Sequence, residues 1–171
     1  MKLDNSIAAV VTGGASGLGA ATARALAARG VRVAIFDMSD AAGEKVSAEI
    51  GGVFCKVNVA DPASVAAGLE KARAAHGQER VCVNCAGIVI GEKTVVSNRE
   101  TGAFAAHDPA AFARVVSVNL NGSFIVASQS AAGMAGAEPL TADGERGVIV
   151  FTSSIAAVEG QIGQVAYSAS K

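Results

Sequence analysis

Tyr167 and Lys171 stand four residues apart, so on a helix their side chains share one face. A phenol alone is a poor proton donor or acceptor at neutral pH, and a neighbouring ammonium favours its ionised form. The pair suits proton transfer, although the same spacing also occurs on solvated surface helices. A second grouping, Thr12-Gly13-Gly14-Ala15-Ser16-Gly17-Leu18-Gly19, has the make-up of a turn leading from a strand into a helix. Free backbone amides and the helix dipole there favour a pyrophosphate, and glycines let the chain approach it closely. Gly13, Ser16, Gly17, Leu18 and Gly19 are the expected contacts. The spacing departs from G-x-G-x-x-G, so a strand-to-helix turn with no ligand is the alternative. Asp37 lies 18 residues beyond Gly19, at the end of an apolar run. A carboxylate there accepts hydrogen bonds from both adenosine ribose hydroxyls and repels a 2′-phosphate, which selects NAD over NADP. The plainer reading is an acid flanking a helix, ahead of Ser39 and Asp40.

These residues need a scaffold that brings strand ends and helix starts together. Apolar runs of strand length at residues 6–12, 31–37, 53–57, 81–84 and 147–152 alternate with longer segments of helical period. That is the pattern of βαβ units around a parallel sheet, and unbroken apolar runs imply strands buried on both faces. Leu18, Ala21, Thr22, Ala25 and Leu26 mark one expected helical stripe, and Val65, Leu69 and Ala72 another. Asp61-Pro62 and Asp108-Pro109 read as helix starts, where the carboxylate caps free amides and proline takes a site needing no N–H donor. Gly77 is expected to end the first of these helices. The second is expected to run from Pro109 to about Gly133, with Phe112, Val115, Val116, Leu120 and Phe124 on its apolar side. Asn119 is out of place beside that stripe, because a buried amide needs partners; a structural asparagine bonded to backbone is the alternative to a functional one. Residues 88–107 have weak periodicity and are expected to form an active-site loop or an insertion. Residues 1–171 are expected to form one doubly wound, Rossmann-like α/β domain.

Composition agrees. Of 171 residues, 51% are hydrophobic and 17% charged, which suits one compact domain. Twenty glycines and no tryptophan favour close packing of small side chains. Fourteen basic residues against fifteen acidic ones, with no block of one sign, give nothing that tracks a nucleic-acid backbone. The apolar run at residues 7–11 is too short for a signal-peptide core, and no stretch is expected to reach membrane-spanning length. Three cysteines, an odd number, argue against a disulfide framework and for a reducing compartment, the cytoplasm by default. Cys82 and Cys85 have the spacing of metal ligands, but with only Cys55 besides no four-ligand site is expected. His76 and His107 are expected to be solvated or capping.

In chain order, Thr12 to Gly19, Asn84-Cys85-Ala86-Gly87, Asn119, Ser154 and Tyr167-Ser168-Ala169-Ser170-Lys171 resemble the motifs of the short-chain dehydrogenase/reductase family, and the resemblance covers the whole chain. It implies that Tyr167 is the general acid/base, that Lys171 tunes it and holds the nicotinamide ribose, and that Asn119 helps hold a water relay to Lys171. Ser154, thirteen residues before Tyr167, would orient the substrate carbonyl or hydroxyl; neighbouring Ser153 lacks the family's spacing. By the same resemblance Asn84 to Gly87, with Cys85 where the family has a second asparagine, would pack the sheet beside the cofactor, with Asn84, Ala86 and Gly87 as its contacts. Asn58, with Val59, stands where the family often has an aspartate that touches the adenine amine, a bond the Asn58 amide oxygen could accept.

The stretches Val81 to Ile90 and Ser154 to Gln164, and the long segment before Asn119, are similar to the type II 3-hydroxyacyl-CoA dehydrogenase branch. That implies NAD-dependent interconversion of 3-hydroxyacyl-CoA and 3-oxoacyl-CoA, a substrate-facing Gln161, and a homotetramer. Hydroxysteroid or 3-oxoacyl-carrier-protein oxidoreduction is the alternative substrate class, the latter disfavoured by Asp37. A non-catalytic NAD-binding module is the alternative from another class; Ser154, Tyr167 and Lys171 argue against it. By the same resemblance the family's last third lies beyond Lys171. The 171-residue chain is therefore expected to be inactive alone and disordered at its end, since one helical turn cannot offset its nucleation cost.

Overall fold

The computed structural model describes residues 1–171. The chain runs β1 (Ala8–Thr12), α1 (Gly17–Ala27), β2 (Arg32–Asp37), α2 (Asp40–Ile50), β3 (Val53–Lys56), α3 (Pro62–His76) and β4 (Glu79–Asn84). It continues through β5 (Val95–Ser97), β6 (Phe104–Ala106), α4 (Pro109–Val116), a π-helical turn (Ser117–Asn121) and α5 (Gly122–Ala135). It ends with β7 (Val148–Phe151), α6 (Ala156–Glu159) and α7 (Val165–Ser170). Five strands form one sheet in the order β3-β2-β1-β4-β7, and every pairing in it is parallel. The chain winds outward from β1 to one side and then, from β4, to the other, so the doubly wound expectation holds and the switch point lies between β1 and β4.

Alternate residues of β1 serve opposite faces, as the period of a strand requires. Val10 joins Phe36, Leu69, Val126 and Met134 under α3 and α5, while Ala9 and Val11 join Ile35, Ala20, Ala23 and Val46 under α1 and α2. Both expected aspartate caps are present: Asp61 accepts from the Ala63 N–H at 2.9 Å and Asp108 from the Ala110 N–H at 2.9 Å. Val65, Leu69 and Ala72 are buried, and Gly77, at φ +81°, follows the last residue of α3.

The face of α1 differs from expectation. Gly19, Ala20 and Ala23 lie against the sheet, whereas Leu18 is 70% exposed and Ala21 and Ala25 face solvent. A hydrophobicity stripe weights the bulky leucine, but a helix this close to a strand needs small side chains at the contact.

The run from Pro109 to Ala135 is continuous but is not one α-helix. The π-helical turn inserts a residue, which rotates later side chains by about 100° relative to an unbroken helix. Leu120 and Phe124, expected on the apolar side, are exposed, Phe124 by 69%. Asn119 is 3% exposed, inside the fold with Val115 and Val126. The expectation that no stretch reaches membrane-spanning length also fails by length: Pro109–Ala135 has 27 residues and a mean hydropathy of 1.4 in its most apolar stretch. In this fold it packs on β4, α3 and α7.

Residues 88–107 contain an exposed antiparallel hairpin, β5-β6. His107 at its foot is not solvated; it lies mostly buried, edge-on to Phe112 with ring centroids 6.3 Å apart. The last turn, expected to be disordered, is helical. Asn119 donates to Ser170 Oγ at 2.9 Å, and Ser153 Oγ donates to the Lys171 carbonyl at 3.0 Å. Those tertiary bonds supply what a lone turn lacks.

Candidate functional site

A cleft of about 740 Å³ opens at the carboxyl ends of the central strands, a size usual for ligand sites. Gly13, Ser16, Gly17, Leu18 and Gly19 form one wall. Gly13 has φ +63°, and a β-carbon on it would lie 2.9 Å from the Ala86 backbone; one on Gly19 would lie 2.1 Å from the Gly13 carbonyl oxygen. Only glycine permits this folding of the loop on itself and on the end of β4. Thr12, which the motif reading did not single out, locks that contact: its Oγ1 accepts from the Cys85 and Ala86 N–H groups at 3.1 and 3.0 Å.

Asp37 lies on the wall at the end of β2. Its Oδ2 accepts from the Ala15 N–H at 3.1 Å and its Oδ1 from the Ser39 N–H at 3.0 Å, so it orders the glycine loop while leaving lone pairs towards the cleft. Asn58 and Val59 are present as expected. The Asn58 amide oxygen, however, already accepts from the Ala60 N–H at 3.1 Å, which leaves one lone pair for an adenine amine. Ala86 and Gly87 line the opposite wall, with Arg114 and Ser117 from the helix; no periodic signal marked those last two.

Asn84 is not on the wall. It is buried between β4 and β7, where its Nδ2 donates to the Val150 carbonyl at 3.3 Å, and its carbonyl accepts from Thr152 Oγ1 at 2.7 Å. Both bonds tie β4 to the segment of β7 and Thr152. Cys82 is wholly buried beside it, and burial pushes its thiol up to about 11; Cys55 is raised for the same reason.

A second cleft of about 440 Å³ is lined by Ser154, Gln161, Gln164, Tyr167 and Lys171. Leu18, Cys85, Gly87 and Ile88 border both clefts, so the two form one groove from Asp37 to Tyr167. Lys171 Nζ lies 5.8 Å from the Tyr167 ring centroid. A β-carbon on Gly87 would stand 3.7 Å from that Nζ and 3.2 Å from Asn119 Oδ1, which puts Gly87 where the clefts meet. Ser154 Oγ accepts from the Ala156 N–H at 3.2 Å and keeps its proton for the cleft. Ser153 is committed elsewhere through its bond to the Lys171 carbonyl. Asn119 lines neither cleft; it sits behind Gly87, its Oδ1 accepting from the Ile88 N–H at 2.8 Å and its Nδ2 donating to the Ile88 carbonyl at 2.9 Å.

The fold and groove define a Rossmann-like α/β protein with a glycine-lined cleft joined to a Ser-Tyr-Lys cleft. The family model for the short chain dehydrogenases matches residues 7–171, and the chain belongs to that family. It is 45% identical over 164 residues to the 3-hydroxyacyl-CoA dehydrogenase type-2 of Drosophila melanogaster, covering 95% of this chain and 62% of that protein. It is 42% identical over 167 residues to the human protein of the same name, covering 96% of this chain and 62% of that one. The crystal structure of 3-hydroxyacyl-CoA dehydrogenase type-2 from Mycobacterium avium superposes with a TM-score of 0.89 at 39% identity, over 100% of this chain and 66% of that one. The chain thus spans 62% of the length of these Drosophila and human relatives.

Proposed function

We propose that residues 1–171 form a single NAD-binding and catalytic domain of an oxidoreductase that exchanges a hydride with a secondary alcohol or ketone. The substrate pair we favour is 3-hydroxyacyl-CoA and 3-oxoacyl-CoA. The observation that carries the reading is the continuity of the two clefts, which lets one extended ligand reach from Asp37 to the junction beside Tyr167 and Lys171. The groove fits such a ligand: the glycine loop leaves Gly17 with nothing within 4 Å of a β-carbon position, so a pyrophosphate could rest on the loop's amides. Asp37 offers its remaining lone pairs to ribose hydroxyls and opposes a 2′-phosphate, which favours NAD over NADP.

When bound, the nicotinamide supplies the hydride acceptor or donor. The chain's part is orientation and proton transfer. Ser154 Oγ would donate to the substrate oxygen, Tyr167 Oη would take the hydroxyl proton on oxidation and return it on reduction, and Lys171 would place positive charge beside the ring and hold the ribose. Asn119 would hold the wall behind them. The acyl-CoA assignment rests on the type-2 relatives named above, and the Gln161 and Gln164 amides give the second cleft polar groups suited to a thioester substrate. A cytoplasmic homotetramer completes the reading. The exposed Leu120 and Phe124 offer an apolar face to a second copy, and sizing of the native protein tests the assembly.

The decisive experiment is Tyr167→Phe in the full native chain. Phenylalanine keeps the ring and loses the proton-transfer group, so kcat for acetoacetyl-CoA reduction by NADH should fall about a hundredfold to ten-thousandfold while NADH affinity is retained. Near-normal turnover in this variant would overturn the catalytic assignment.

A further inference from the structure

Ser170 lies between the two residues assigned to catalysis, and its side chain faces inward; the residue is 6% exposed. Its Oγ donates to the Tyr167 carbonyl at 2.9 Å and accepts from Asn119 Nδ2 at 2.9 Å. Asn119 in turn holds both the N–H and the carbonyl of Ile88, a residue that borders both clefts. One unbroken run of hydrogen bonds therefore ties the groove wall at Gly87-Ile88 to the backbone of Tyr167.

We propose that Ser170 is a positioning residue for the reaction proposed above, a clip that sets the Tyr167–Lys171 turn against the cofactor wall. The inference rests on that reading of the site. α7 begins at Val165 with no side-chain cap, so its start supplies no side-chain tether to the cofactor wall. A satisfied buried hydroxyl, by contrast, is costly to remove because its partner loses a bond with no water to replace it. The π-helical turn is what makes the partner reachable: an unbroken α-helix through Ser117–Asn121 would swing Asn119 away from Ser170. Reaction rates are sensitive to such registers, because a displacement of about 1 Å can cost about a hundredfold.

The test uses the full native chain with acetoacetyl-CoA and NADH. Ser170→Ala should lower kcat by about ten- to a hundredfold, with NADH affinity by fluorescence titration and KM for acetoacetyl-CoA each within about twofold of wild type. Ser170→Thr, which keeps the hydroxyl, should recover most of the rate. In an Asn119→Ala background, where the clip is already cut, Ser170→Ala should change kcat by less than about twofold. Wild-type kcat in Ser170→Ala overturns the proposal, and so does an equal loss in both backgrounds, which would mean that Ser170 acts independently of Asn119. The cycle decides the matter even if the threonine variant does not fold. A silent Ser170→Ala in an enzyme that still needs Tyr167 sinks the clip alone; retained activity in Tyr167→Phe sinks the catalytic reading instead.

Discussion

β1 is buried along its whole length and β2 and β4 nearly so, whereas the segment that leads from β7 to Ser154 is tied by side-chain hydrogen bonds, Thr152 to the Asn84 carbonyl and Ser153 to the Lys171 carbonyl. The cofactor side of the groove thus stands on strands packed from both faces, and each fully buried side chain such as Ile35 or Phe36 contributes about 1.5–3 kcal/mol. On the catalytic side, Ala156 of α6 and Ala166 and Ser170 of α7 are buried. Its placement comes from hydrogen bonds by Asn119, Ser153, Thr152 and Ser170, each worth about 1 kcal/mol net. The contrast teaches where damage should appear: lesions on the cofactor side in stability or binding, lesions on the catalytic side in rate at nearly constant stability.

The largest expected effect on the cofactor side is at Glu79, a carboxylate only 2% exposed at the start of β4. Arg73 on α3 holds it in two bonds of 2.9 and 2.8 Å, and the carboxylate's hydrogen bond raises the guanidinium's affinity for its proton. Arg73→Met leaves that charge buried and unpaired, so urea denaturation at neutral pH should show a loss of about 3–5 kcal/mol. A loss below about 1 kcal/mol would mean that the pair behaves as a surface ion pair and that the cofactor side is less closed than described.

Next is the alkaline limb of stability. Burial lifts the Cys82 thiol from 9.0 to about 11, so the neutral thiol is favoured in the folded state. Stability from this group is full below pH 9 and is lost as pH rises towards 11, by about 2–3 kcal/mol in all. Denaturation between pH 8 and 11 should therefore slope more steeply in wild type than in Cys82→Ala. Parallel curves would show that water reaches this part of the sheet.

The smallest effect sharpens the comparison at the groove itself. Asp37→Ala should weaken NAD by about tenfold, the scale of one hydrogen bond to a charged group, and shift preference towards NADP by relieving the repulsion of a 2′-phosphate. Titration of wild type and variant with both cofactors checks this. A wild type that prefers NADP would sink the assignment of Asp37, and a large loss of stability would show that its bonds to Ala15 and Ser39 matter more than its lone pairs in the cleft.

The sequence by itself determined the five parallel strands, the aspartate caps at Asp61 and Asp108, the glycine turn after β1 and the chemistry suggested by Tyr167 and Lys171. These are readable because burial on two faces, end-capping and tight turns are written within a few neighbouring residues. The tertiary structure alone decided which face of α1 meets the sheet, since the tolerance for Gly19, Ala20 and Ala23 depends on how near the strand lies. It alone paired Arg73 with Glu79 and turned Leu120 and Phe124 outward through the π-helical turn. Asn119 makes the point most fully: its bonds reach partners 31 and 51 residues away along the chain. No local pattern encodes such distances; only the packing that brings β4, the π-helical turn and α7 together gives the amide its partners.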